Sequence, residues 1–394
     1  MPSESPFLIL KIECPICKTI NECELIKVGA YSEGNRDTDF CPTEITWRFP
    51  RYQAYNPLVF FTTTCGNCYY TRELTNEYKD WKNDNAFRTY RLKAIKDKHL
   101  EHLSTADSVI KQLGAKVDIT RYPNESAILK LLLAVYDEQL FERHSRLDLG
   151  RFYLRVGWVF RLMGKGENPH AVMLRGLVQE LEQSLERLTK HVGQARPELG
   201  DFLGTVNSQF STDQLPADIT SRILPFREGF SSQLNELNDT FTTAEQQVGR
   251  LTRLVDEFKA AVLGGESAGG EAPFWSYSSF TDFLLGLQRL WPGIVTNERE
   301  ALIKAVEHYK EAFGTGRDIA PGNQQIQASY LIAELSRRIG DYEQAKQYFS
   351  STIKAGQEFI YQNRQDQSRT ALARKILELA MEQGRSALSA ARTS

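Results

Sequence analysis

Nothing in these 394 residues approaches a membrane-spanning run, a strong excess of one charge, or a familiar catalytic string. No stretch comes near the roughly 20 apolar residues that a transmembrane helix needs. The start, Met1 to Lys11, has no basic region ahead of a long apolar core, and Phe7 to Leu10 is far too short to serve as one, so no secretory signal is expected. Formal net charge is only −2, which removes the broad attraction on which non-specific nucleic-acid binding rests. No GxxxxGK(S/T), GxGxxG or GxSxG string occurs, so nucleotide binding and α/β-hydrolase chemistry have no local support. Cysteine is scarce as well: there are 6, all before residue 69. In a chain without export signals, that clustering points to metal binding in a reducing cytoplasm rather than to disulfides.

What is present begins with those cysteines. Cys14-Pro15-Ile16-Cys17 and Cys65-Gly66-Asn67-Cys68 are two CxxC pairs. Two thiolates three positions apart grip one metal ion, and two such knuckles supply the four sulfurs of a closed tetrahedral site, so Cys14, Cys17, Cys65 and Cys68 are read as ligands of a structural zinc. The gap from Lys18 to Thr64 requires the site to close over an inserted hairpin or loop. A redox CxxC is the competing reading; it needs a βαβ context that is absent and leaves the second pair unexplained. A closed four-sulfur site has no open position for water, so zinc catalysis is not implied.

The chain is long enough for two to three domains, and its 41% apolar and 25% charged shares are those of a globular protein. Residues 12–75 read as short strands and turns, with Glu24 to Val28, Glu44 to Phe49 and Val59 to Thr64 prone to strand. Residues 73–113 read as one or two charged helices, whose interleaved Lys, Arg, Asp and Glu form a solvated face. Ile128, Leu129, Leu132, Leu133 and Tyr136 set a helical stripe, and a further helix is expected over Leu149 to Met163. Leu174, Val178, Leu181, Leu185, Leu188 and Val192 then alternate four and three apart, and Phe230 to Val262 hold the same rhythm for over four heptads. Pro197, Pro216 and Pro225 are expected to interrupt, leaving two heptad helices that pair as an antiparallel hairpin or dimerise. Gly264 to Gly270 reads as a linker. Helices follow at Phe280 to Leu290, Glu298 to Phe313, Gln325 to Ile339, Tyr342 to Ile360 and Ser368 to Leu388. Within them Ala328 to Phe349 carries the tetratricopeptide (TPR) signature: a helix ending at Gly340, an Asp341-Tyr342 turn, then a small Ala345 and a large Phe349.

Other residues with chemical potential read more plainly. Cys41 and Cys23 are expected as small buried hydrophobes, Asp37 and Asp39 as turn caps, and His99 and His102 as surface histidines, with no HExxH pattern beside them. Trp158, Trp275 and Trp291 are read as core or groove aromatics. An enzyme with Cys41 as nucleophile lacks an identified base.

Cys14-Pro-x-Cys17, then Arg36-Asp37-Thr38-Asp39-Phe40-Cys41-Pro42, Asn56-Pro57-Leu58 and Cys65-x-x-Cys68-Tyr69 resemble, in order, the landmarks of the bacterial family known as domain of unknown function 2225. Tyr153 to Arg161 and Tyr330 to Phe349 resemble its helical half. The resemblance covers roughly residues 12–165 and 298–360. It implies a zinc-ribbon head followed by TPR-like helices, and it brings no reaction. The sequence departs from the family at the heptad block and at Gly66-Asn67, where a proline is usual.

The expected architecture is mainly α: a small zinc-ribbon-like β head (1–75), a first set of TPR-like helices (76–165), an inserted coiled-coil hairpin (166–270) and a TPR-like helical domain (271–394). The expected function is that of a non-catalytic cytoplasmic scaffold, with a groove for a protein or peptide partner and with heptads for self-association. In such solenoids the first helix of each hairpin lines the groove, which nominates Tyr153, Arg161, Tyr330, Glu334 and Arg337 as contacts. A nucleic-acid-associated regulator that uses the ribbon as its recognition head is the alternative, and near-neutral charge counts against it.

Overall fold

The computed structural model describes residues 5–165, 169–209, 216–263 and 273–390. Small two-stranded sheets lie at the N-terminal end and helices make up the rest. The described chain divides into two compact units. The larger comprises described residues within Met1–Arg48, Ala54–Pro169 and Gly269–Ser394, the smaller those within Phe49–Gln53 and His170–Ala268.

In the larger unit, β1 (Phe7–Glu13) and β2 (Ile20–Ile26) pair antiparallel in the register Phe7↔Ile26 to Glu13↔Ile20. β3 (Tyr31–Glu33) pairs with β4 (Ile45–Trp47), and β5 (Thr62–Thr64) with β6 (Thr71–Glu73). The strand expected over Val59 to Thr64 is shorter, because Asn56 caps a 3-10 turn over Pro57–Phe60 that consumes its first half. β1 was not foreseen: Leu8 and Ile9 are both half exposed, so its residues lack the alternation of a half-buried strand.

The helices after the sheets are α1 (Asn76–Lys79), α2 (Leu92–Ser104), α3 (Val109–Gly114), α4 (Pro123–Gln139) and α5 (Arg146–Lys165). α4 is buried around nearly its whole circumference, as a helix at the centre of a core must be. Its polar groups are consequently all engaged in places where water is excluded: Lys130 donates to the Val59 carbonyl, and Asp137 accepts from the Thr71 N–H at 2.7 Å. Beyond residue 272 lie α8 (Phe280–Gln288), α9 (Glu298–Thr315), α10 (Asn323–Ile339), α11 (Tyr342–Gln362) and α12 (Gln367–Ala390), close to the expected spans. Caps define their ends. Asn297 and Asp341 accept from the backbone three residues on, and Gly340 takes the left-handed conformation (φ 89°) that closes α10. α10 and α11 run antiparallel: Ser329 meets Thr352, Ser336 meets Gln344, and fully buried Ala345 admits Phe349 against Tyr330. α5 and α9 also pack antiparallel, with Gly150 against the Tyr309 ring, Tyr153 stacked on His308, and Gly157 against Leu302.

The smaller unit is a helical hairpin of α6 (Pro169–Gln209) and α7 (Ala217–Leu263). The ion pairs Glu182–Lys259 (2.7 Å) and Arg196–Glu245 (2.5 Å) fix them antiparallel, with Leu199, Val206 and Leu234 buried between. Two expected interruptions are corrected: Pro197 and Pro225 lie inside continuous helices. A proline removes one backbone bond from a long helix; cross-helix contacts flank Pro197 on both sides, and those of α7 lie beyond Pro225, at Leu234, Glu245 and Lys259. The stretch 264–270 read as a linker lies outside the described residues.

Candidate metal centre

Both CxxC pairs sit in the turns of β-hairpins, Cys14–Cys17 between β1 and β2 and Cys65–Cys68 between β5 and β6. The two turns are built alike. The N–H of Cys14 donates to the carbonyl of Thr19 and that of Cys65 to Tyr70; the N–H of Lys18 returns to Cys14 and that of Tyr69 to Cys65. Lys18 and Tyr69 both adopt positive φ (65° and 62°), which bends the chain back after the second cysteine and aims both sulfurs of each pair inward. The sulfurs all lie within 4.8 Å of one another, with Cys14–Cys68 at 3.6 Å and Cys17–Cys65 at 3.4 Å. A disulfide would bring two sulfurs to about 2.05 Å, and all six cysteines are free. Tetrahedral coordination with metal–sulfur bonds of about 2.3 Å places sulfurs about 3.8 Å apart. The four-sulfur cluster therefore has the size and donor set to hold one metal ion.

Electrostatics point the same way. Without a cation the four thiols compete for one negative charge. A hydrogen bond from Cys14, then one from Cys68, hold the Cys65 thiol far below the ordinary thiol range. The hydrogen bond to Cys65 pushes Cys14 up, and those to Cys14 and then Cys65 push Cys68 up, with burial adding to both. A divalent ion relieves that competition by stabilising all four as thiolates.

The surroundings orient the ligands. Asn21 Nδ2 donates to Cys65 Sγ at 3.4 Å while Asn21 Oδ1 accepts the Gly66 N–H at 2.9 Å. Proline at 66 would lose that N–H. His99, expected at the surface, is fully buried and is corrected here. Its Nδ1 lies 2.8 Å from Asp137 Oδ1 and its Nε2 2.9 Å from the Cys68 carbonyl. Both partners offer acceptor oxygens, which favours the doubly protonated, charged ring and ties the second knuckle to α4. Burial opposes that charge, but the Asp137 carboxylate outweighs it and raises the His99 pKa. His102 instead bonds the Tyr136 hydroxyl. Asn21, His99 and Asp137 bear no sequence signal of this role, because their partners are 31 to 45 residues away.

Four of the five residues nominated for a partner groove are also corrected. Tyr153, Arg161, Tyr330 and Glu334 are buried, and the loop Asp37–Phe40 of the same chain bonds the last three of them. Arg161 grips Asp39 with two nitrogens (3.0 and 2.7 Å), Asp37 at 3.0 Å and Glu298 at 2.7 Å. Tyr330 donates to the Thr38 carbonyl, Thr38 donates to Glu334, and Arg338 pairs with both Asp37 and Glu334. Tyr153 donates to the Gly293 carbonyl, and Arg337 bonds Glu334 at the edge of the cluster. Asp37 and Asp39 cap their turn as expected, through the N–H groups of Thr38 and Cys41, and carry these ion pairs besides. Trp158 donates its indole N–H to Asp39. Cys41 is buried, as expected; burial first, then the Asp39 charge, push its thiol up to about 12, the opposite of an activated nucleophile.

No helix among the described residues is long and apolar enough to cross a membrane. No curated protein and no solved structure matches the chain. The sequence model of a family described as an uncharacterized protein conserved in bacteria, domain of unknown function 2225, matches residues 9–191 and 275–375, and the chain belongs to that family.

Proposed function

We propose that this chain is a non-catalytic cytoplasmic interaction protein whose head is clasped by one structural zinc ion on Cys14, Cys17, Cys65 and Cys68, and whose α6–α7 hairpin associates with a second copy of the chain. The near-tetrahedral spacing of the four sulfurs carries the zinc half of the reading, since a soft four-thiolate set selects zinc among abundant divalent ions. The association half rests on the heptad positions. Leu181, Leu188, Leu237 and Leu251 keep between 38% and 46% of their surface exposed. A two-helix seam leaves such edges open, and stacking two hairpins into a four-helix bundle covers them. The α10–α11 hairpin has TPR-like small-to-large packing, and by that likeness its outer faces suit a protein partner; Arg337, with 24% of its side chain exposed, is the nominated residue best placed for one.

Native mass spectrometry and sedimentation equilibrium test the two halves separately. Protein purified without chelator should carry one zinc per chain and lose it in the variant Cys65→Ser. Wild type should sediment as a dimer at micromolar concentration and Leu188→Glu/Leu237→Glu as a zinc-loaded monomer. Metal-free wild type overturns the zinc assignment; a monomeric wild type overturns the association.

A further inference from the structure

Within the larger unit a cavity of about 630 Å³ opens between the loops of the head and the helices α5, α9 and α10. That volume falls inside the roughly 300–1,000 Å³ typical of small-molecule sites. Its wall is mostly apolar, with Phe61, Leu74, Leu154, Trp158, Leu162 and Leu331 contributing. Three arginines line it, Arg36, Arg151 and Arg155, against two carboxylates, Glu33 and Glu73.

The arginines differ in how they are neutralised. Arg36 is paired with Glu33 at 2.6 Å, and Arg151 with Asp148 at 2.8 Å and Glu73 at 3.5 Å. Arg155 has no carboxylate partner among the described residues. One of its nitrogens donates to the Arg151 carbonyl at 3.2 Å, and its guanidinium lies 4.1 Å from the centre of the Phe61 ring. A guanidinium stays charged at any ordinary pH, so burying one beside an apolar cavity is costly unless an anion joins it. Burial first, then the neighbouring Arg151 charge, push Arg155 below its ordinary value, and Glu73 and Asp148, neither paired with it directly, offset this only in part. On the same wall Tyr309 is only 2% exposed, and its hydroxyl lies close enough to Arg155 to feel that charge. A cation with no direct ion pair, beside a hydroxyl on the wall of one mostly apolar chamber, is what a ligand with a single anionic head and an apolar body would complete.

We propose that this cavity binds a small hydrophobic carboxylic acid, with its carboxylate on Arg155 and Tyr309 and its body along the apolar wall. A monoanion matches the single unpaired positive charge. A phosphate monoester, which carries about −1.5 to −2 at neutral pH, would leave negative charge uncompensated. The site is separate from the four cysteines and needs no metal.

Isothermal titration calorimetry of the full-length, zinc-loaded protein with decanoate, decanol and decyl phosphate tests the assignment. Decanoate should bind once per chain, at least about tenfold more tightly than decanol, as a charge-assisted bidentate contact implies. Arg155→Met should weaken decanoate about tenfold or more and leave decanol unchanged; Arg155→Lys should restore part of the loss. Ligand-free Arg155→Met should melt no lower than wild type, because it removes a charge that no direct ion pair holds, whereas a structural arginine would lower the melting temperature. Leu331→Trp, which adds bulk to the α10 wall of the chamber and leaves Arg155 in place, should abolish binding of both ligands. No saturable decanoate binding, or unchanged decanoate affinity in Arg155→Met, overturns the proposal; tighter binding of decyl phosphate than of decanoate overturns the carboxylate assignment.

Discussion

Replacing Arg161 by methionine is the sharpest probe of how the Asp37–Phe40 loop is held. Methionine preserves the unbranched stem but none of the donors. In the wild type, the Arg161 side chain is 6% exposed and the Asp39 side chain fully buried, and four short contacts join the guanidinium to Asp39, Asp37 and Glu298. Without Arg161, Asp39 keeps only two close neutral donors, the Trp158 indole at 3.1 Å and the Cys41 N–H at 3.3 Å. Arg338 approaches one Asp39 oxygen only to 3.9 Å. Breaking a buried pair from one side leaves the other charge stranded, so Arg161→Met should cost about 3–5 kcal/mol.

Asp39→Asn leaves Arg161 with two carboxylates and should cost about 1–2 kcal/mol. The double variant strands no charge at position 39, so its loss should fall short of the sum of the singles by at least about 1.5 kcal/mol. Urea denaturation followed by tryptophan fluorescence reads this directly, since Trp158 donates to the same carboxylate. Zinc content should not change, because Arg161 touches neither knuckle. A cost below about 1 kcal/mol for Arg161→Met, or additive singles within about 0.5 kcal/mol, would refute the reasoning.

Three further outcomes follow from particular contacts. Burial first, then the Arg146 charge, lower His308 from its ordinary 6.5 to about 4; its folded value lies below its unfolded one, so the stability it contributes is whole above pH 6.5 and is lost as pH falls towards 4. That loss amounts to about 3 kcal/mol at most, and urea titrations across that range should show a shallower slope in His308→Gln; an unchanged slope would exclude the group. A Cβ at Gly114 would sit 2.2 Å from the Tyr69 ring just after the second knuckle, so Gly114→Ala should lower stability by about 1–3 kcal/mol, measurable as an earlier urea midpoint. Arg196→Glu reverses one cross-helix ion pair of the hairpin; at an exposed site it should cost no more than about 1 kcal/mol, and a larger shift in the helical melting transition would mean that the pair is not solvated as the structure has it.

The parts legible in the sequence were those written in short spacings. Two CxxC strings determine two knuckles whatever lies between them, and Gly340-Asp341 ends one helix and caps the next through local backbone demands. Long-range charge pairing has no such mark. Arg161 meets Asp39 across 122 residues and Glu334 meets Thr38 across 296. Both read as groove contacts because the first helix of each TPR-like hairpin lines the groove, and only the folded chain reveals that the head loop lies on them. His99 deceived for the same reason: its environment is set by Asp137 and Cys68, not by its neighbours in α2. Pro197 and Pro225 failed as breakers because local propensity yields to contacts along the rest of a long helix. The family match omits residues 192–274, so the part of the hairpin holding Pro225 rests on the heptad pattern alone.

Two arginines of α5 show how structural and ligand-facing charges can be told apart. Arg155 and Arg161 are six residues apart on one helix, both largely withdrawn from water, and their local sequences, Tyr153 to Trp158 and Trp158 to Arg161, are equally apolar. Sequence cannot separate them. The fold surrounds Arg161 with three carboxylates and gives Arg155 an aromatic face and a single carbonyl. Removing the first strands anions that were already there, and so it must destabilise. Removing the second strands nothing, so any function it has must be sought in a molecule that arrives with its own charge. The two substitutions to methionine should therefore move stability in different directions, and the sign of the change at Arg155 separates a ligand site from a packing arginine before any ligand is identified.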